Sequence, residues 1–105
     1  MTEASVAAGA PAAGRSLIVP PQDSSAVRAQ RFVRGVLAEE GVDRDVADLT
    51  VLTTKALVIN GILHARSALA VTIKVDAESI RIEVADRDQM HQDPALSWGA
   101  ATIAR

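Results

Sequence analysis

Apolar and polar residues alternate strictly through the segment that follows Leu69. Val71, Ile73 and Val75 point one way, Thr72 and Lys74 the other. After the turn sequence DAES, Ile80, Ile82 and Val84 fall on one face and Arg81 and Glu83 on the opposite one. A period of two is the signature of a strand, so this region predicts a hairpin with either one wet face or one helix-covered face. Upstream the period lengthens. Ala29, Phe32, Val33, Val36 and Leu37 recur at helical spacing, and Arg28, Arg31 and Arg34 face elsewhere. Asp23 or Ser24 can cap this helix by accepting from an orphan backbone N–H. Gly41 is its natural stop, because glycine enters the left-handed region without a Cβ penalty.

Asp43 is a second cap candidate and opens a second apolar segment that runs to Ala65. Leu49, Leu52, Ala56, Leu63 and either Ile59 or Asn60 form one stripe on it. The β-branched residues Thr50, Val51, Thr53, Thr54, Val58 and Ile59 pull against a helix. If the segment is helical, Asn60 lies one turn from Ala56 and one turn from His64, all three on a shared, partly buried face. Ser16 to Val19 reads as a first strand, stopped by Pro20 and Pro21. Beyond the hairpin a polar loop leads to a possible helix start at Ser97. The order strand, helix, helix, hairpin predicts an α+β two-layer sandwich, with two helices packed on one face of a mixed or antiparallel sheet. Residues 1–15, rich in small side chains, are expected to be a mobile tail, leaving residues 16–105 as one domain.

Composition narrows the functional classes. The chain has 105 residues, 49% hydrophobic and 23% charged, as a small globular domain does. A net charge of −2 gives no basic excess for nucleic acid or anionic lipid. Without cysteine there is no disulfide, thiolate chemistry or cysteine-zinc site. The N-terminus lacks the basic start and leucine-rich middle of a signal peptide, and no apolar run reads as long enough to span a bilayer. A cytoplasmic protein with no membrane partner is the expectation. The segment DRDQMHQD offers Asp86, Asp88, His91 and Asp93, whose spacing fits a solvated acidic loop better than a metal site. The three arginines of the first helix read as a solvated face. Trp98 is a candidate gap-filler or interface residue.

Three features come in a telling order: Asn60 near the end of the second helix, Asp86 ending the strand after the hairpin turn, and Gly99 before a short apolar helix start. This order resembles the Bergerat-type (histidine kinase-like) ATPase fold, and most closely its anti-sigma-factor serine/threonine kinase branch of actinobacterial type. PPQDSSAVRAQRFVRGVLAEEG resembles the first strand-to-helix segment of those proteins. LTVLTTKALVINGILHA resembles their Asn-box helix, and IRIEVADRD the strand that delivers the adenine-binding Asp. The resemblance implies ATP and Mg²⁺ as cofactors. Asn60 would give an oxygen to Mg²⁺, which favours an octahedral oxygen shell. His64 would lie near phosphate, Asp86 would accept from the adenine amine, and Gly99 would offer bare backbone to phosphate.

The pattern also departs from that family. Its general-base Glu, one turn before the Asn, is Ala56 here, and losing a positioned base typically costs roughly 10²- to 10⁴-fold in rate. Lys55 points about 100° away around the helix. The often basic position before His64 is Leu63. The Gly two residues after the adenine Asp is Asp88. The phosphate turn is reduced to SWGAA, and the family's C-terminal helix and closing strand are missing. These departures imply a degenerate domain, with no catalytic residue to assign, acting as an anti-sigma-factor-like regulator by partner switching. Its partners would be a sigma factor or an anti-anti-sigma (STAS) protein, and a homodimer is expected because an unfinished sheet edge or helix face invites pairing. The alternatives are an active serine/threonine kinase of the STAS partner and a non-signalling truncated paralogue.

Overall fold

The computed structural model describes residues 14–65, 67–87 and 97–105, with only the backbone described at 97 and 98. The expected tail therefore lies almost wholly outside the described residues, and its last member, Arg15, already heads the first strand. Six elements follow one another: β1 (Arg15–Val19), α1 (Ser24–Glu39), α2 (Arg44–His64), β2 (Leu69–Val75), β3 (Ser79–Asp86) and β4 (Ser97–Ala104). The four strands form one antiparallel sheet in the order β1-β2-β3-β4. Both helices lie on one face of it, so the α+β sandwich expected from the sequence is the observed architecture.

The sheet's inner face carries Leu17 and Val19 from β1, Leu69, Val71 and Ile73 from β2, Ile80, Ile82 and Val84 from β3, and Ile103 from β4. All are buried except Leu17, which packs half-buried against the rest. From above, α1 contributes Ala26, Ala29, Val33, Val36 and Leu37. The opposite sheet face is polar along much of its length. There the Ser16 and Thr72 hydroxyls share a hydrogen bond of 2.8 Å, and Arg81 donates to Glu83 at 2.7 Å and to Thr102 at 3.0 Å.

The helix ends follow local chemistry. Gly41 sits at φ +67, its N–H bonds to the Ala38 carbonyl, and the Val42 N–H reaches back to Leu37. This is the Schellman pattern, and Val42 packs on the core as the motif's hydrophobic partner. Asp43 caps α2 by accepting from the Asp45 N–H at 3.1 Å. Neither candidate caps α1 by its side chain. Asp23 occupies the N-cap without a side-chain cap bond, and Ser25 instead ties the helix start to the chain before it, donating to the Pro20 carbonyl at 2.6 Å.

Two expectations are corrected. The helix start at Ser97 is strand β4, paired with β3 from Ser79↔Ala104 to Ala85↔Ser97. The register slips between Val84 and Ala85, leaving Trp98 as the extra residue of a bulge. Second, α2 is long and apolar enough, by length and composition, to cross a membrane, although the sequence pattern reads without such a run; 33% of that window is buried within the fold. Between Leu49 and Leu63 the only charge is Lys55.

Candidate functional site

The face that α2 turns to the sheet is not the leucine stripe. Its buried residues are Ala47, Thr50, Val51, Thr54, Val58 and Gly61. Small and β-branched side chains let the helix lie close on the sheet. The threonines tolerate burial because each hydroxyl bonds one turn back: Thr50 to the Val46 carbonyl and Thr54 to the Thr50 carbonyl, both at 2.8 Å. The closest approach is at the helix end, where a Cβ added to Gly61 would stand 3.2 Å from Val84 and 3.3 Å from Leu69.

The stripe read from the sequence is therefore turned outward. Leu49, Leu52, Ile59 and Leu63 are 53%, 63%, 43% and 75% exposed, and Ala56 is exposed among them. The shared face of Ala56, Asn60 and His64, expected to be partly buried, is open: all three residues are exposed. Beside this row the first half of α1 and the second half of α2 enclose a cavity of about 320 Å³. Val27, Ile59, Ile62 and Leu63 give it apolar walls, and Asp23 and Lys55 belong to its lining. Sequence reasoning passed over Val27 and this groove. The available signal was the 3-4-3-4 spacing of positions 49, 52, 56, 59 and 63, which marks a helix seam as readily as a core stripe.

The four residues singled out by the resemblance lie on three elements: Asn60 and His64 at the end of α2, Asp86 at the end of β3 and Gly99 in β4. Asn60 adjoins Gly61, which packs on Leu69 and Val84. Leu69 pairs with Asp86 and Val84 with Gly99. Their settings differ. Asp86 is 5% exposed at the end of β3 and accepts a 2.6 Å hydrogen bond from the Ser67 hydroxyl. His64 folds back on its own helix, its Nδ1 donating to the Asn60 carbonyl one turn earlier at 2.8 Å. Gly99 lies within β4, directly under the helix: a Cβ there would meet Leu57 at 2.6 Å. Its lack of a side chain is thus accounted for by the α2–β4 contact. Asp88, His91 and Asp93 of the acidic loop lie outside the described residues, as does the Trp98 side chain. Among the described residues no group of three His, Asp or Glu is placed to hold a metal.

Asp86 is an anchored, nearly buried acceptor, and Asn60 adds an exposed amide. At Ala56, one turn before Asn60, the helix presents a methyl group where proton transfer would need a carboxylate or imidazole. Among the described residues, four of the six exposed large hydrophobic side chains, Leu49, Leu52, Ile59 and Leu63, lie along α2. No protein-family model matches the sequence, and no curated protein is significantly similar to it.

Proposed function

We propose that this chain is a cytoplasmic, anti-sigma-factor-like regulator that works by gripping a protein partner and not by phosphoryl transfer. The observation that carries the reading is the outward row Leu49, Leu52, Ala56, Ile59 and Leu63 with the α1–α2 groove beside it. A small soluble fold rarely leaves such a contiguous apolar strip open unless something docks on it. The resemblance supplies the partner class, a sigma factor or a STAS-domain protein.

The fit of the four residues to ATP and Mg²⁺ is uneven. Asp86 suits an adenine amine, and Asn60 could give Mg²⁺ one oxygen. The phosphate end lacks its parts: Ala56 takes no proton, and the space above Gly99 belongs to Leu57. The residues at that end do not fit a triphosphate, and the set is left with hydrogen-bonding groups alone.

Two calorimetric titrations test the reading. Purified sigma factors and STAS proteins of the same organism are titrated into the chain and into Leu63→Glu. One member is expected to bind the wild type, and the exposed substitution is expected to abolish binding without loss of folding. ATP and ADP, with and without Mg²⁺, are titrated alongside Asp86→Ala. Mg²⁺-dependent nucleotide binding that disappears in Asp86→Ala would overturn the non-catalytic reading and favour the kinase.

A further inference from the structure

We infer that the cavity between α1 and α2 is a binding site for a free α-amino acid with an apolar side chain. The inference stands on the cavity alone and goes beyond the protein-binding reading of the row beside it.

The helix pair is fastened at one end. The Gln30 amide donates to the Val51 carbonyl at 3.5 Å, and one turn on along α1 Arg34 pairs with Asp48 at 3.1 Å. In the other half the two helices part around about 320 Å³. Val27, Ile59, Ile62 and Leu63 wall that space. Small-molecule sites have this character: concave, mostly apolar, with a few polar groups that fix the ligand.

The polar groups specify the ligand. Asp23 and Lys55 both line the cavity. Asp23 occupies the N-cap of α1 yet makes no side-chain cap bond, so its carboxylate is left for another donor. The ion pairs among the described residues are Arg15–Glu39, Arg34–Asp48 and Arg81–Glu83, so Asp23 and Lys55 neutralise neither each other nor a described neighbour. The two bridges also set the helix register. One turn on from Gln30 and Val51 stand Val27 and Lys55, and one turn farther stand Asp23 and Ile59. Asp23 is thereby placed about one turn, or about 5 Å, beyond Lys55 along the groove. A carboxylate beside Lys55 and an ammonium beside Asp23, joined through one Cα, bridge that gap. The side chain they carry then meets the apolar walls. A fatty acid would leave Asp23 unmatched and an alkylamine would leave Lys55 unmatched, whereas a zwitterion satisfies both.

L-Leucine is the probe, titrated into the chain alone and followed by amide chemical shifts. It is expected to shift the start of α1 and the second half of α2, with a dissociation constant on the order of 0.1 mM. N-acetyl-L-leucine lacks the ammonium and L-leucinamide lacks the carboxylate, and each is expected to bind about tenfold more weakly. Asp23→Asn is expected to cost L-leucine about tenfold and N-acetyl-L-leucine nothing further. Lys55→Gln is expected to weaken L-leucine equally and to leave L-leucinamide unchanged. Both side chains are exposed, so circular dichroism spectra are expected to match wild type. Val27→Trp, at a wall residue 49% exposed, is expected to fill the cavity and abolish binding.

No shift up to about 10 mM L-leucine would overturn the inference. Equal binding of L-leucine and N-acetyl-L-leucine would do the same, as would octanoate binding tighter than L-leucine and indifferent to Asp23→Asn: the groove would then be apolar without reading a zwitterion. Groove shifts that follow protein concentration without ligand would give the cavity to a second copy and overturn it likewise. These titrations contain no protein partner, so their failure leaves the regulator reading to the Leu63→Glu titration.

Discussion

At the scale of single residues, three glycines do three different jobs. Gly41 supplies the left-handed turn that ends α1. Gly99 gives room to Leu57, and an added Cβ would stand 2.6 Å from its Cδ2 atom. Gly35 does neither: it lies exposed within α1, and an added Cβ meets nothing within 4 Å. Gly35→Ala is therefore expected to raise stability by about 0.5–1 kcal/mol through helix propensity and a less flexible unfolded chain. Gly99→Ala is expected to lower it by about 1–2 kcal/mol, because Leu57 must leave its place. Urea denaturation of the two variants beside the wild type measures both. If Gly99→Ala were neutral while it removed a ligand, the glycine would be serving the ligand and not the helix contact.

At the scale of elements, the β2–β3 hairpin is organised by one side chain. Asp76 Oδ1 accepts from the Glu78 N–H at 3.0 Å and from the Ser79 N–H at 2.8 Å. These bonds, first that from Glu78 and then that from Ser79, hold its carboxyl below the ordinary value of 3.8. A carboxyl depressed in the folded state adds stability above its unfolded value, and that stability is lost as pH falls through the folded value. Asp76→Asn keeps an acceptor but removes the charge. Its melting temperature is expected below wild type at pH 7, with the gap closing as pH falls through and below 3.8. A gap that stayed constant from pH 7 to pH 2 would rule out the charge as its cause. This hairpin was legible in the sequence because its signals are local: strict alternation, a turn sequence, a stop. The Schellman glycine and the Asp43 cap were legible for the same reason. Strand β4 was not. SWGAATIA is poor in β-formers, and it becomes a strand by pairing with β3 across a bulge, with Gly99 and Ala101 small where α2 presses on the sheet. The orientation of α2 was obscured differently. The helix is apolar on several sides, and buried threonines bonded to the preceding turn imitate a polar face. As for the site, the sequence gathered Asn60, His64, Asp86 and Gly99 into one group through a resemblance, and they sit on three elements whose surroundings differ. That His64 spends its Nδ1 on the Asn60 carbonyl, and that the leucines face out, depended on tertiary packing.

At the scale of the whole molecule, α2 is a two-sided element, with one face buried against the fold and the other exposed. Val58 is fully buried against the sheet, whereas Leu52, a larger residue, is 63% exposed on the opposite side. In the monomer, Val58→Ala removes two buried carbons and leaves a cavity, so a loss of about 2–3 kcal/mol is expected. Leu52→Ala is expected to cost less than about 0.5 kcal/mol there, as exposed substitutions do. Pairing of second copies through the outer row, expected from the sequence, would add a concentration dependence. An interaction made only by the folded chain stabilises it by mass action, so the wild-type melting temperature should rise with protein concentration and that of Leu52→Ala should not. Val58→Ala, with its outer row intact, should retain the rise while melting lower throughout. Thermal unfolding of the three proteins from low to high micromolar concentration separates the two faces. Equal costs for both substitutions at the lowest concentration would mean that Leu52 is buried within the single chain. A flat wild-type curve would mean that the outer face of α2 waits for a different partner.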